Sequence, residues 1–156
     1  HRVLDTSSYN PHELRRLIMD LYADQEPHQR LRLRLMSFSY KYGLPPEADL
    51  VMDVRFLPNP HFVEELRDLT GNEPRVRDFV LKHEETHAFL EQFCRFLDFL
   101  LPRYQREGKA HLTVAVGCTG GRHRSVVIAN ALGEYLSRRD IPFTLTHRDL
   151  ASKAGD

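Results

Sequence analysis

The chain has 156 residues, with 22 basic and 22 acidic side chains, so its formal net charge at neutral pH is zero. That balance excludes the strongly basic field of many nucleic-acid-binding proteins, and any RNA or DNA binding must come from local patches. The length suits one domain with its own core. Two cysteines are too few for a disulfide framework, which favours the cytoplasm, and the longest apolar run is too short to span a membrane.

The first predicted element is a helix that begins after a linker of residues 1–10. Asn10 is the expected N-cap, Pro11 takes the first helical position, and the helix should end near Tyr22. The opening residues carry neither an initiating Met nor a signal-peptide pattern, and we therefore expect an excised domain.

Residues 30–40 alternate between apolar and basic side chains, which predicts a strand. Arg30, Arg32 and Arg34 share one of its faces. We interpret this row as a solvated edge strand protected by charge. A contact to a phosphate backbone is the alternative.

A second short strand is predicted over Leu50–Val54, and a polar, proline-rich loop follows it to Phe62. Ligands of open α/β sheets bind outside the carboxyl ends of the strands. The loop therefore supplies candidate ligands, although it also suits a purely structural turn. These candidates are Asp53, Arg55, Asn59 and His61.

Two helices are predicted next, a short one near residues 76–80 and a long one from Glu84 to Arg106. Pro102 should kink or nearly end the long helix, and Cys94 should pack in or beside its apolar stripe. The segment His83–His87 has the H-E-x-x-H spacing of zinc proteases. We interpret it as a polar helix start with surface histidines, because no recognisable third ligand segment accompanies it.

The most informative stretch runs from Leu112 to Leu132. An apolar run over Leu112–Val116 predicts a buried strand, residues 117–121 form a glycine-rich turn, and a helix should begin near His123 or Arg124. This geometry directs backbone N–H groups and a positive helix end at one point, which suits phosphate. An ordinary tight turn is the alternative.

A last strand is predicted over Ile141–Thr146, and residues 151–156 form a flexible tail. The predicted order is α-β-β-α-α-β-α-β. It favours a three-layer α/β domain over residues 11–150, with a four-strand, mainly parallel sheet.

The glycine turn also fits the C-x5-R-S loop of cysteine-dependent phosphatases, with Cys118 as the nucleophile and Arg124 as the phosphate clamp. Such enzymes need a general-acid Asp on a second loop, for which Asp53 has little support. Gly117 also replaces the His that normally precedes the Cys. Phosphate binding without turnover is therefore the favoured interpretation, and catalysis is the alternative.

Taken together, the motifs DTSSYNPHELR, SFSYKYG, DVRFLPNPH and GCTGGRHRS resemble the RapZ/YvcJ family of bacterial RNase adapter proteins over essentially the whole chain. The likeness is to the family's C-terminal domain. It implies a phosphofructokinase-type subdomain that senses glucosamine-6-phosphate, binds small regulatory RNA and presents it to RNase E as part of a homotetramer. Any nucleotide hydrolysis would belong to a missing N-terminal P-loop domain, so this domain would be no enzyme and would need no cofactor or metal.

The resemblance also implies site residues, position by position. The implied sugar-phosphate ligands are Asp53, Asn59, His61, Thr119, Gly120, Gly121, His123 and Arg124, to which we add Cys118 and Ser125 from the same turn. The implied RNA ligands are Lys41, His61, Thr119 and Arg124, to which we add Gly120, Arg122 and Arg148. The basic tail of the family is thin here, because Asp149 and Asp156 dilute its charge.

Overall fold

A computed structural model of the chain describes residues 10–15 and 31–151. Strands and helices alternate within the second range, as the apolar periodicity predicts. The strands are β1 (Arg32–Ser39), β2 (Leu50–Asp53), β3 (His111–Cys118) and β4 (Phe143–His147), and the helices are α1 (Pro74–Leu81), α2 (Glu84–Arg106) and α3 (Arg124–Ser137).

The four strands form one sheet in the order β2-β3-β1-β4, and every neighbouring pair is parallel. The predicted α/β class and four-strand sheet are therefore confirmed, with a sheet that is wholly parallel. Helices flank it, as in a three-layer α/β domain. Because all strands run the same way, their carboxyl ends meet at one edge of the sheet.

One face of the sheet and two helices enclose the main core. Leu35 of β1 and Val114 of β3 pack there with Leu97 of α2 and Leu132 of α3, and all four side chains are fully buried. The half-buried Cys94 packs against this cluster, as predicted. Helix α1 contacts α3 through a smaller cluster that includes Val76 and Val127.

The interpretation of β1 as an edge strand is wrong. β1 lies between β3 and β4 and pairs with both. Arg32 and Arg34 are nevertheless exposed, because they project from the face opposite Leu33 and Leu35, whose side chains pack in the main core. Arg30 lies outside the described residues.

The ends of the helices follow local signals. The predicted Asn10 cap is confirmed, since its side chain accepts from the Glu13 N–H and its own N–H donates to the Glu13 carboxylate. Residues 11–15 are helical. Residues 16–22 of the predicted helix, residues 1–9 of the predicted linker and residues 152–156 lie outside the described ranges. Helix α2 continues one turn past Pro102, to Arg106.

Within residues 10–15 and 31–151, no helix is long and apolar enough to cross a lipid bilayer.

Truncating the core should cost far more stability than truncating the surface. Leu132→Ala removes a fully buried side chain, and we expect the free energy of unfolding to fall by about 2–5 kcal/mol, through lost burial and the cavity left behind. Leu44→Ala is the matched control, because Leu44 is 59% exposed. Urea denaturation of both variants measures the difference, and equal losses would contradict this core assignment.

Candidate functional site

The carboxyl ends of the strands bring distant polar residues together. Ser39 ends β1 in register with Cys118 at the end of β3, and Asp53 ends β2 opposite Gly117. On the other side of β1, Ser37 pairs with His147, whose Nδ1 lies 2.8 Å from the Ser37 hydroxyl oxygen. The glycine turn and the loop after β2 both start from this edge, as the sequence predicts.

Glycine is required twice because the backbones approach closely here. A Cβ on Gly117 would lie 2.4 Å from the Phe38 ring, so the histidine that precedes the cysteine in phosphatases has no space. Gly121 has φ +65°, and its Cβ would lie 2.9 Å from Ser39. Gly120, by contrast, faces open space, so the outer surface of the turn is accessible.

Ser39 fixes the turn to β1 and to the segment after β4. Its hydroxyl donates to the Thr119 carbonyl at 2.6 Å and accepts from the Lys41 N–H. Its own N–H donates to the buried carboxylate of Asp149 at 2.6 Å. Sequence reasoning missed both Ser39 and Asp149, because residues 110 positions apart carry no shared local signal.

Arg148, a predicted RNA ligand, is largely engaged within the fold. Its guanidinium pairs with Asp149 and donates to the carbonyls of Ser39 and Gly43. Its side chain is 26% exposed. Arg148 therefore holds the residues after β1 in place and presents only part of its cation to solvent.

Arg124 is buried and joins the glycine turn to the loop after β2. Its Nη1 donates to the carbonyls of Arg55 at 2.5 Å and Leu57 at 3.1 Å, and the residue is only 5% exposed. Its Nε is buried and has no hydrogen-bond partner within the described part of the chain. Burial lowers the pKa of Arg124, while the nearby Cys118 and Asp53 act in the opposite direction.

Asp53 and Arg55 form a bidentate ion pair, called here the Asp53–Arg55 fork. Both carboxylate oxygens accept from the Arg55 guanidinium, and one also accepts from the Arg55 N–H. The side-chain hydrogen bonds from Arg55 hold the pKa of Asp53 below its ordinary value. The guanidinium also lies 4.1 Å from the centre of the Tyr40 ring, whose pKa is raised by burial and by Asp53. Sequence reasoning singled out Arg55 but not Tyr40 as its partner.

Two histidines connect the loop to the helix start. The Asn59 side chain accepts from the His61 N–H at 3.2 Å, which fixes this short 3-10 turn. The exposed His61 ring lies 6.5 Å from the ring of His123, measured between centroids. His123 is the N-cap residue of α3, and its Nε2 lies 2.8 Å from the Leu69 carbonyl.

His123 contributes little positive charge at neutral pH. Burial lowers its pKa, and the neighbouring Arg122 and His61 act in the same direction, against the hydrogen bond to Leu69. Because a carbonyl only accepts, Nε2 must carry the proton and Nδ1 of the neutral ring is a potential acceptor. At this turn, positive potential comes from Arg124 and from the N–H groups at the start of α3.

Cys118 is buried beneath the turn. Its Sγ lies 3.1 Å from the Ser125 hydroxyl oxygen, and the residue is 3% exposed. A thiol that is buried in this way packs as a small apolar side chain with a weak hydrogen-bond donor. The two predicted ligands Cys118 and Ser125 contact each other and support the turn from inside.

The H-E-x-x-H segment forms the start of α2. His83 is the N-cap residue, and His87 is exposed on the first turns. Across the described ranges, no three His, Cys, Asp or Glu side chains cluster closely enough to hold a metal ion.

An open depression of about 630 Å³ lies away from this edge, between α1, α3 and β4. Several of its polar groups already have partners, since Arg77 pairs with Glu134 and Asn130 donates to Asn72. The glycine turn has accessible backbone and buried positive charge instead, so it is the stronger candidate for an anion site.

Comparisons with known proteins show the family of the chain. The family described as the RapZ C-terminal domain matches residues 31–151. The chain belongs to this family. The match includes every strand and helix of the sheet domain and all the candidate ligands.

Relatives named "Nucleotide-binding protein" are about 50% identical to this RapZ-family chain over the aligned residues. The one from Geotalea daltonii is 50% identical over 96% of the chain, and the one from Myxococcus xanthus is 52% identical over the same share. A third, from Carboxydothermus hydrogenoformans, is 48% identical over 96% of the chain. The chain spans about half the length of these relatives, 52% in each case.

The structure brings most residues suggested by the RapZ resemblance to one edge of the sheet. They differ in accessibility. Those exposed to solvent are Lys41, Asp53, His61, Thr119 and Gly120, those partly buried are Asn59, Arg122 and Arg148, and those buried are Cys118, Gly121, His123, Arg124 and Ser125. The exposed group can contact a ligand directly, whereas the buried side chains shape the cradle.

The Asp53–Arg55 fork predicts a local pH effect. Arg55→Gln should raise the pKa of Asp53 toward its ordinary value of 3.8, because the dominant hydrogen bonds that lower it are lost. A lowered carboxyl pKa contributes stability above the unfolded-state pKa, which is lost as pH falls through the folded-state pKa. The variant should therefore lose less stability than the parent on acidification below about pH 4.

Carboxyl-carbon NMR titration of Asp53 measures this shift directly. Arg95→Gln is the control, because it breaks a similar ion pair with Glu91 elsewhere on the surface. An Asp53 pKa that stays the same in Arg55→Gln would show that the fork does not set it.

Proposed function

We propose that this domain is a non-enzymatic, cytoplasmic regulatory adapter that senses glucosamine-6-phosphate, binds small regulatory RNA and presents it to RNase E. Membership of the RapZ C-terminal domain family supports the adapter role. The observation that carries the ligand proposal is the glycine turn, held against the loop after β2 by the buried Arg124.

The turn suits the phosphate of a small sugar. Backbone N–H groups at the start of α3 have no side-chain cap from His123, and the accessible surface at Gly120 admits an anion close to the backbone. Arg124 adds a buried positive charge beneath the turn. A phosphate bound here would be stabilised without exposing the cation to water.

The loop after β2 suits the amino-sugar ring. Asp53 is held ionised by Arg55, and a carboxylate has about four acceptor sites, so it could also accept from the sugar's ammonium group. His61 and Asn59 flank the same space from their fixed turn. The carboxylate of Asp53 would favour glucosamine-6-phosphate over a hexose phosphate that lacks the ammonium group.

The same edge offers RNA contacts. Lys41 lies on the segment after β1 and Arg122 directly follows the glycine turn, and cations in these two places suit successive phosphates. Because the chain has no net charge, RNA affinity would depend on this patch alone. The family resemblance adds two further parts to the proposal, RNase E as the protein partner and assembly as a homotetramer.

RNA and the sugar phosphate should compete, because they share the turn. With glucosamine-6-phosphate at ten times its dissociation constant, we expect the apparent Kd for a labelled hairpin RNA to rise about tenfold. Fluorescence anisotropy at fixed salt measures this, with glucose-6-phosphate as the ligand control. Unchanged RNA affinity at saturating sugar phosphate would rule out a shared site.

Matched histidine variants test the location. His61→Ala should weaken both ligands by about 10- to 100-fold, the scale of a lost hydrogen bond to a charged group. His87→Ala removes an equally exposed histidine on α2 and should leave both affinities unchanged. His61 is the sharper probe, because removing the buried Arg124 would also disturb the loop that it holds.

The alternative is a cysteine-dependent phosphatase using Cys118 and Arg124. Their C-x5-R spacing favours it, but the thiol is buried and the guanidinium donates to backbone carbonyls. We therefore expect no hydrolysis of an aryl phosphate by the chain, and no difference between it and Cys118→Ser. Hydrolysis by the parent chain that disappears in Cys118→Ser would contradict the sensor proposal and show that the domain is a phosphatase.

A further inference from the structure

Phe62 is the most exposed large apolar side chain among the described residues, at 81%. It ends the 3-10 turn Pro60–Phe62, directly after His61. A phenyl ring in this position adds little to the core, and its exposure leaves it accessible to a partner.

The backbone beneath this ring is fixed from several sides. The Phe62 N–H donates to the Asn59 carbonyl at 3.2 Å, and the Val63 N–H donates to the Pro60 carbonyl at 3.0 Å. The Arg67 guanidinium donates to the His61 carbonyl at 3.2 Å. Pro60 is itself buried. A ring presented from such a turn loses little conformational freedom when it binds a partner.

The ring lies next to the candidate anion site. The centroids of Phe62 and His61 are 6.0 Å apart with the rings edge to face, and His61 lies 6.5 Å from His123 at the start of α3. Two successive ring contacts therefore connect Phe62 to the glycine turn. A strand longer than a sugar phosphate could place its phosphate at the turn and another of its groups against the phenyl ring.

The exposed charged residues that follow Phe62 favour contact with a single flat group over burial in a broad protein interface. Glu64, Glu65 and Arg67 follow it closely and are all exposed, so the ring is not part of a sequence-continuous apolar patch of the kind that protein interfaces need. The two carboxylates also repel phosphates from the ring itself. Phosphates are favoured on the opposite side, near Arg122 and the helix start.

We propose that Phe62 stacks against an unpaired nucleobase of an RNA strand whose phosphate occupies the glycine turn. This inference rests on the proposed RNA binding and adds a contact that the sugar phosphate does not make. Aromatic rings stack on any base, because every base has a π face. Phe62 thus distinguishes single-stranded from paired RNA, and RNA from the sugar ligand.

The test measures Phe62→Ala in the 156-residue chain with three ligands. A short labelled single-stranded RNA should bind about 5- to 150-fold more weakly, the ~1–3 kcal/mol per stacked base converted at 1.4 kcal/mol per tenfold. A duplex RNA with the same number of phosphates should bind Phe62→Ala with the same affinity as the parent chain. Glucosamine-6-phosphate should also bind both chains equally. Phe62→Trp should restore single-strand affinity, because it restores a flat ring.

Phe96→Ala is the matched control, since Phe96 is also exposed, at 46%, but lies on α2. Unchanged single-strand affinity in Phe62→Ala overturns the stacking proposal while leaving RNA binding intact. Failure of the parent chain to bind any RNA overturns the proposed function as well. A change in oligomeric state by light scattering, with RNA affinity unaltered, would show that Phe62 contacts a second copy of the chain instead.

Discussion

The candidate site depends on one buried guanidinium. Arg124 is the first residue of α3, yet its side chain donates to two carbonyls of the loop after β2. Removing a cation from water is costly, and here the carbonyl dipoles and the nearby Asp53 carboxylate offset that cost. In return, the helix start, the end of β3 and the loop after β2 are held as one unit. Without Arg124, the carbonyls of Arg55 and Leu57 would lose their partner.

Strand order explains why this edge is so closely packed. β1 and β3 are neighbours in a fully parallel sheet, so Ser39 and Cys118 end side by side. The chain leaving β3 must then pass directly over Ser39, which only a glycine at position 121 permits. Asp149 comes from the segment after β4 and caps the Ser39 N–H. Three separate segments therefore determine the shape of a turn that looks local in the sequence.

Much of the fold could be predicted, because apolar periodicity and turn residues act locally. The strand ending in the glycine turn and the start of α3 at Arg124 lie where the sequence indicates. The central position of β1 could not be predicted, because alternation shows which side chains share a face but not which strands pair. The inward direction of Arg124 was equally hidden. Its acceptors are backbone carbonyls 67 and 69 positions away, which leave no side-chain signature.

The charges at this edge predict different salt dependence for the two proposed ligands, the sugar phosphate and RNA. At the turn, His123 is disfavoured from ionising by burial, so a bound phosphate would rely on the backbone N–H groups of the helix start and on the buried charge of Arg124. Backbone N–H groups of this kind are sufficient to bind the single phosphate of a small ligand. An RNA strand brings many phosphates, and only exposed cations such as Lys41 can displace the counterions of the outer ones. If both proposed ligands bind at the glycine turn, RNA binding should therefore depend on salt more steeply than sugar-phosphate binding.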